Sequence, residues 1–265
     1  CHHCGKSYPY PALCPACGSV RIKHFGIGTQ AVEEEIKKFL KGNVGRKRPV
    51  VVRMDRDSTK ARGRAETIYQ DWAAGKIDIL IGTQIVSKGW DVSRVGLVGV
   101  ISADTFLHLP DFRSNERTFQ VLTQVAGRAG RGSDKGLVII QTYHPENPAI
   151  EAAKIHDYEK FFKSEIQERK RLVYPPFSRL VKLTVRHKDS EAARQKANKA
   201  AMELRTKNQG IEIVGPIPAF ITKLRGKFQY QVVLKINPAS EADLYHFLQD
   251  LPSDVDIDVD PESLL

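Results

Sequence analysis

Two kinds of hydrophobic pattern follow one another along this chain, and the change between them divides it. In the first part, short apolar runs bounded by turns separate longer stretches of helical periodicity. "VRIKHFG" at 20–26 reads as a strand running into the loop "GIGTQ". Val32, Ile36, Phe39 and Leu40 then recur at helical spacing, with Glu33, Glu34 and Glu35 early and Lys37, Lys38 and Lys41 late, as a helix dipole favours. Gly42-Asn43 stops that helix. "VVVRMD" predicts a strand, 58–74 a helix, "DILIGT" and "LVGVISAD" buried strands, 114–125 a helix and "GLVIIQT" another strand. A single helix is expected over 149–171, broken by "YPPF" at 174–177. Strands alternating with helices imply a doubly wound parallel α/β domain, whose ligands sit at the C-terminal ends of the strands.

Beyond Tyr174 the period changes. "SRLVKLTVRH" alternates as a half-buried strand does, and Ala193, Ala197, Ala200, Ala201 and Leu204 form a small-residue helix stripe that can lie close on a sheet. "IEIVGP" and "FQYQVVLKI" read as strands with "LRGK" as a basic turn between extended segments. Ser240 with Asp243 resembles a capping box ahead of Leu244, Phe247, Leu248 and Leu251, and "VDIDVD" alternates as a last strand. The order β-α-β-β-α-β predicts an α+β, ferredoxin-like sandwich. The expected division is a zinc-binding module over 1–19, an α/β lobe with its following helix over 20–172, and the α+β domain over 173–265.

Composition narrows the class. The 265 residues are 41% hydrophobic and 27% charged, enough to bury a core and too apolar for a disordered tail. No apolar run reaches the roughly 18 residues of a membrane span. The net charge of +10 is unevenly spread: eight Lys or Arg lie between Arg46 and Arg64, and fourteen between Arg171 and Ser240, whereas 241–265 carries eight acids and no Lys or Arg. Two basic regions suit a polyanion. The four cysteines are Cys1, Cys4, Cys14 and Cys17, two CxxC pairs followed by Gly5 and Gly18. Such knuckles let thiolates converge on a tetrahedral zinc, with a redox pair or idle thiols as the alternatives. His2 and His3 could also ligate, although residues inside a knuckle usually point away. The chain opens at Cys1, inside that motif, and reads as the C-terminal part of a longer protein.

The sharpest chemical signal is "QVAGRAGRG" at 124–132. A structural helix would not choose three glycines in nine residues, since each costs about 1 kcal/mol against alanine. Arg128 and Arg131, three apart among glycines and preceded by Gln124, suit a γ-phosphate, where an arginine finger is worth about 10³–10⁵ in rate. A second loop, "GTQIVSKGWDV" at 82–92, opens from a buried strand into small and hydroxyl residues whose N–H groups suit phosphates. Gly89 and Asp91 then turn back toward the nucleotide.

"GIGTQAVEEEI", "VVRMDRDST", "DILIGTQIVSKGWDV", "LPDFRSNERTFQVLTQVAGRAGRG", "YPPFSRL" and "DVDP" together resemble the PriA family, the primosomal protein N′ of bacterial replication restart. The likeness runs in order over essentially the whole chain. It implies a superfamily 2, ATP-dependent 3′-to-5′ DNA helicase of the bacterial cytoplasm that binds abandoned forks and D-loops and starts primosome assembly. This chain would supply the second, RecA-like lobe. The resemblance places Gly28 and Thr29 in a nucleic-acid motif, with Thr83 and Gln84 in another. It puts Gly89 and Asp91 at the nucleotide, and Gln124, Arg128 and Arg131 in the arginine motif. It also implies two zinc ions, with Cys1/Cys4 and Cys14/Cys17 serving different ions and their partner cysteines upstream, where spacing alone gives one four-cysteine site.

Two departures stand out. Trp90 and Val92-Ser93 flank Asp91 where the family often has histidine and Phe-Pro. Neither a GxxxxGK[ST] loop nor the acidic Mg²⁺ motif is present, so the chain would hold half an ATPase site and be inert alone. The expected partners are forked and single-stranded DNA, other primosome proteins and the acidic tail of single-stranded DNA-binding protein. That tail is placed on a row of Lys223, Arg225, Lys227 and Gln229, which forms if the segment stays extended. A monomer with no membrane attachment is expected. The competing readings are a superfamily 2 helicase for another nucleic acid, such as RNA, and a non-catalytic zinc-containing DNA-binding protein.

Overall fold

The computed structural model describes residues 13, 17–19, 28–43, 48–55, 58–59, 63–83, 95–129, 136–207, 211–237, 248 and 251–265. They form two compact units, one drawn from Lys23–Leu107 and Arg117–Tyr158, the other from His108–Glu116 and Glu159–Leu265 together with the chain's start.

In the first unit, α1 (Thr29–Asn43) precedes β1 (Val51–Met54), α2 (Arg64–Ala73) and β2 (Ile79–Gly82). β1 and β2 are parallel neighbours, in register from Val51 opposite Ile79 to Met54 opposite Gly82. Met54, Ile68 and Ile77 are buried together, with Val52, Trp72 and Leu80 packed around them, so α2 lies on this pair. A second parallel pair, β3 (Leu97–Val100) with β4 (Leu137–Ile140), is followed on the β3 side by the short α3 (Asp104–Leu107). Helix α4 (Ser114–Ala126) buries Thr118, Phe119 and Leu122. The helix expected from Ser58 starts later, at Arg64, because Ser58 and Thr59 are spent on a turn around Asp55 and Gly63 enters with φ 81°.

The single helix expected over 149–171 is two: α5 (Pro148–Lys154) and α6 (Tyr158–Arg171). Asn147 caps α5, its side chain accepting from the Ala149 N–H at 2.9 Å. The break is a Schellman turn made without glycine. His156 takes φ 53°, its N–H reaches the Ala153 carbonyl, and the Asp157 N–H reaches that of Ala152. Helix α6 ends the same way at Val173 (φ 52°), with Tyr174 bonded back to Arg169.

The second unit is an antiparallel sheet of β5 (Arg179–His187), β6 (Ile211–Leu224), β7 (Lys227–Ile236) and β8 (Val255–Val259), in the order β6-β7-β5-β8. Helix α7 (Ser190–Lys207) covers one face. Its alanine stripe 193, 197, 200, 201 is buried against Val181, Leu183, Val185, Val232, Leu234 and Ile236. Small side chains let the helix approach closely, which is why the stripe suits this position. The helix expected after Ser240 lies almost wholly outside the described residues. On the other face Tyr174, Leu180, Val214, Val233 and Leu264 pack together, with the Phe112 ring stacked on Tyr174 at 5.3 Å. Asp111, fully buried, holds the chain's end there, accepting from the Ser263 hydroxyl, the Leu264 N–H at 3.1 Å and the Arg113 N–H at 2.8 Å. Segment 108–116, between α3 and α4, therefore packs with the α+β unit.

β6 slips register between Val214 and Ile217 at Gly215, whose φ is 105°. A Cβ there would stand 2.7 Å from the Gln231 carbonyl oxygen, whereas one at Gly226 (φ 78°) would meet nothing within 4 Å. Gly215→Ala should therefore lower unfolding free energy in urea by about 1–3 kcal/mol, and by more than Gly226→Ala does. Equal losses would mean the backbone angle alone sets the cost.

Candidate nucleotide and nucleic-acid site

Parallel register puts the residues that follow β1 and β2, Asp55 and Thr83, side by side at one edge. This is the C-terminal edge, where open α/β sheets take ligands. Asp55 is buried and organises the edge. Its carboxylate accepts from the Thr29 hydroxyl at 2.6 Å and from the Ser58 N–H at 2.8 Å, and its carbonyl accepts from the Thr59 hydroxyl at 2.6 Å. Thr29 is the first residue of α1, so this bond ties the helix start to the end of β1. The Thr29 bond is the largest cause holding the Asp55 carboxyl down at about 2, followed by the Ser58 N–H; burial works against them, and the Ser58 hydroxyl and Arg53 add smaller contributions. Arg53 lies 3.4 Å from Asp55 and 3.3 Å from Glu33, so this base of the first basic run is already engaged.

The Gly28 position is exposed, and a Cβ on it would meet nothing within 4 Å, which leaves room beside the α1 start. Thr83 is exposed as well. Gln84, Gly89 and Asp91 lie outside the described residues, as does Arg131. Gln124 is exposed on the last turn of α4. Arg128 is half-buried just beyond it, where the chain tightens: Arg128 donates its N–H to the Val125 carbonyl and Ala129 to that of Ala126, both at 3.1 Å. The structure thus brings Thr29 and Thr83 to the two ends of one strand pair's edge, and puts Gln124 and Arg128 on consecutive turns of one helix end.

Sequence reasoning passed over two carboxylates. Asp55 was visible only as an acid within a basic run. Asp104, 1% exposed at the start of α3, accepts from the Thr142 hydroxyl at 2.9 Å and the Tyr143 N–H at 3.2 Å, joining the segments that leave β3 and β4. The strand expected over "LVGVISAD" is shorter and less buried than its apolar run implies, ending at Val100 with alternate residues exposed.

The row proposed on the hairpin does not form. Arg225 (φ 49°) and Gly226 (φ 78°) make a two-residue turn between β6 and β7, so the segment does not stay extended. Lys223 stands opposite Phe228, with its ammonium 4.8 Å from the ring centroid, and Lys227 opposite Leu224. Adjacent pairs point to opposite faces, so Lys223 and Lys227 are separated. Lys227 instead shares the face of Gln229 and Gln231. Of the cysteines, Cys17 alone is described: exposed in a turn, with Gly18 at φ 69° behind it. Cys1, Cys4 and Cys14 lie outside the described residues. No described helix is long and apolar enough to cross a membrane.

Parallel strand pairs, with Asp55 and Thr83 following β1 and β2 and Thr29 opening α1 beside them, make an α/β lobe. Accordingly, residues 25–133 match the helicase conserved C-terminal domain family, a match that fits a RecA-like lobe. Residues 170–262 match the primosomal protein N C-terminal domain family. Replication restart protein PriA of Bacillus subtilis is 46% identical over 237 residues, covering 89% of this chain and 29% of that protein. The PriA of Synechocystis is 38% identical over 273 residues (100% and 32%), and that of Thermotoga maritima 34% over 266 residues (100% and 34%). The chain belongs to the PriA family, and it spans about a third of the length of these curated relatives.

The Asp55 carboxyl titrates far below an ordinary aspartate, so its stabilising charge is fully present above about pH 4. It is lost as pH falls from there through about 2, where the folded-state carboxyl titrates. Asp55→Asn should flatten that acid limb in thermal unfolding followed from pH 5 to 2, and cost about 1–2 kcal/mol at pH 7. An unchanged acid limb would mean that the Thr29 bond does not depend on the charge.

Proposed function

We propose that the chain is the second motor lobe and C-terminal domain of an ATP-dependent 3′-to-5′ DNA helicase. The whole protein would recognise stalled or abandoned forks and D-loops and begin primosome assembly. The observation that carries this reading is the Thr29–Asp55 bond at the edge shared with Thr83, in a chain that matches both a helicase family and the primosomal C-terminal family. In this reading Gly28, Thr29, Thr83 and Gln84 hold the phosphates of one DNA strand. Gln124, Arg128 and Arg131 face the γ-phosphate of ATP held with Mg²⁺ on the other lobe, and Gly89 and Asp91 border it. The guanidinium groups oppose charge that develops on the phosphoryl oxygens, so they act mainly in the transition state.

The domain limits 1–19, 20–172 and 173–265 belong to the same proposal. The strand order β6-β7-β5-β8 is the one that a ferredoxin-like β-α-β-β-α-β chain would give. Cys1, Cys4, Cys14 and Cys17 would serve two zinc ions, and the exposed Cys17 turn is compatible with that donor set. Zinc would fix the local fold of the module rather than take part in hydrolysis. The protein would act as a monomer in the bacterial cytoplasm, with other primosome proteins and single-stranded DNA-binding protein as partners. The acidic tail of the latter was assigned to Lys223, Arg225 and Lys227; the hairpin register leaves it the Lys227 face, beside Gln229 and Gln231.

The test uses the protein with its first lobe present. Arg128→Ala and Arg131→Ala should each lower DNA-stimulated ATPase by about 10³, while nucleotide affinity stays within about tenfold. Near-normal turnover in both variants would remove the arginines from the reaction. In that protein two zinc ions per chain are expected by metal analysis, and Cys4→Ser should release one and leave the ion that uses Cys14 and Cys17. Loss of all zinc on that change would mean a single shared site.

A further inference from the structure

Helix α4 leads into the arginine motif at one end and is pinned at the other. Its C-terminal end runs on as a tightening turn, with Gly127 bonded back to Thr123, Arg128 to Val125 and Ala129 to Ala126. Gln124 and Arg128 are therefore carried by the helix as one piece. Its first three residues, Ser114 to Glu116, fall in the α+β unit, and Arg117 onward in the lobe. Two acids hold that first turn. Asp111 accepts from the Arg113 N–H at 2.8 Å with its side chain and from the Ser114 N–H at 3.1 Å with its carbonyl. Its other carboxylate oxygen holds Ser263 and Leu264. Glu116 accepts from the Arg169 guanidinium at 2.7 Å, across 53 residues of chain.

Charge balance does not require that last bond. Glu116 already has Arg113 on its own turn as a two-point partner, at 3.1 and 3.2 Å. Arg169 already has Glu165 one turn back on α6, at 2.8 Å, and its cation lies 5.5 Å from the centre of the Phe112 ring. Each group is satisfied locally, yet the bond between them is the shortest of these. A planar guanidinium forked between two carboxylates fixes direction as well as distance, which suits it to hold a helix start in place. A one-residue slip of α4 would rotate its side chains by about 100° and carry them about 1.5 Å along the axis. A displacement of about 1 Å in a group that meets a transition state costs up to about 10² in rate. We infer that Glu116 is a positioning residue for the arginine motif: held by Arg169, it sets the height and rotation of α4, and through the helix the place of Arg128. Resting on the reading that Arg128 faces ATP, this role makes turnover at that site depend on an ion pair formed within the α+β unit.

The experiment measures DNA-stimulated ATPase and unfolding midpoints on the protein with its first lobe present. Glu116→Gln keeps the size of the side chain and removes its charge. It should lower kcat about tenfold and leave KM for ATP within about twofold, because the arginine acts mainly in the transition state. Added to Arg128→Ala, it should cost no more than about twofold further, since it acts through that arginine. Glu165→Gln removes the other carboxylate of Arg169 without touching α4. It should lower the unfolding midpoint and leave kcat within about twofold. Arg169→Lys keeps the charge and loses the fork, and carries the same expectations as Glu116→Gln should that variant unfold the protein. Equal falls in kcat for Glu116→Gln and Glu165→Gln would overturn positioning in favour of a general effect of stability. Losses that multiply in the Glu116→Gln, Arg128→Ala double variant would also overturn it. Near-normal turnover of Arg128→Ala alone would overturn the reading of the arginine motif itself. A large loss for Arg128→Ala beside unchanged turnover for folded Glu116→Gln would overturn only the positioning role.

Discussion

The hydrogen bond from Thr29 to the Asp55 carboxylate is the constraint on which the C-terminal edge of the β1–β2 pair depends. Three loops leave the structure there: the entry to α1, the exit of β1 and the exit of β2. Backbone register alone aligns the two exits. The start of α1 is referenced to the pair by the bond from Thr29 to Asp55, with the Arg53–Glu33 ion pair one turn further on. The charged acceptor matters because a carboxylate binds hydroxyl and N–H donors about twice as strongly as a neutral oxygen does. The same charge occupies Arg53, which a count of basic residues assigns to the polyanion surface.

In the α+β unit the comparable role falls to buried groups outside the sheet. Asp111 holds the chain's last residues, and Phe112 stacks on Tyr174. Arg169 reaches Glu116 at 2.7 Å and Glu165 at 2.8 Å. Burial pushes the Glu116 carboxyl up, but hydrogen bonds from Arg113 and Arg169 outweigh it and hold the group below the usual range. Burial raises the Tyr174 hydroxyl, with Glu212 and Asp111 adding to the shift, so it stays neutral under its Lys235 cation. A segment lying between two elements of the lobe thus supplies the packing of the other unit's open face. In the stretch "LPDFRSNERTF" the residues up to Glu116 and those after it belong to different units.

Much of this was legible because period and burial agree. The alanine stripe of α7, the parallel pairs β1–β2 and β3–β4, and the alternation of β5 each follow from where apolar residues recur. What escaped reading lacks a residue-type signature. His156 and Val173 end helices with positive φ where glycine is the expected marker, so 149–171 looked continuous. The turn read at "LRGK" is the one Arg225-Gly226 makes, whereas the row of Lys223, Arg225, Lys227 and Gln229 required 223–229 to stay extended, which that turn forbids. Buried acids such as Asp55, Asp104 and Asp111 depend on donors 26, 38 and 152 residues away, at Thr29, Thr142 and Ser263, and no local pattern announces them. The arginine motif was legible as sequence, and the described residues carry its first half, Gln124 and Arg128.

Charge shows the same limit of composition. The second basic region, 171–240, looks uniform as a count, yet its members are in different physical states. Arg179, Lys182 and Arg186 on β5 face Asp260 just beyond β8 and Asp258 and Asp256 on it, and Lys196 of α7 pairs with Asp254, so the acidic end of the chain neutralises this side. Each such exposed pair adds little stability, about 0–1 kcal/mol. Their larger effect is on the field, because they remove cations from the surface that a polyanion meets. Among the described residues no acidic strand lies beside the hairpin across β7, and Lys223, Arg225 and Lys227 make no ion pair. These cations lie at the hairpin end, where Phe220 and Ile221 are also exposed.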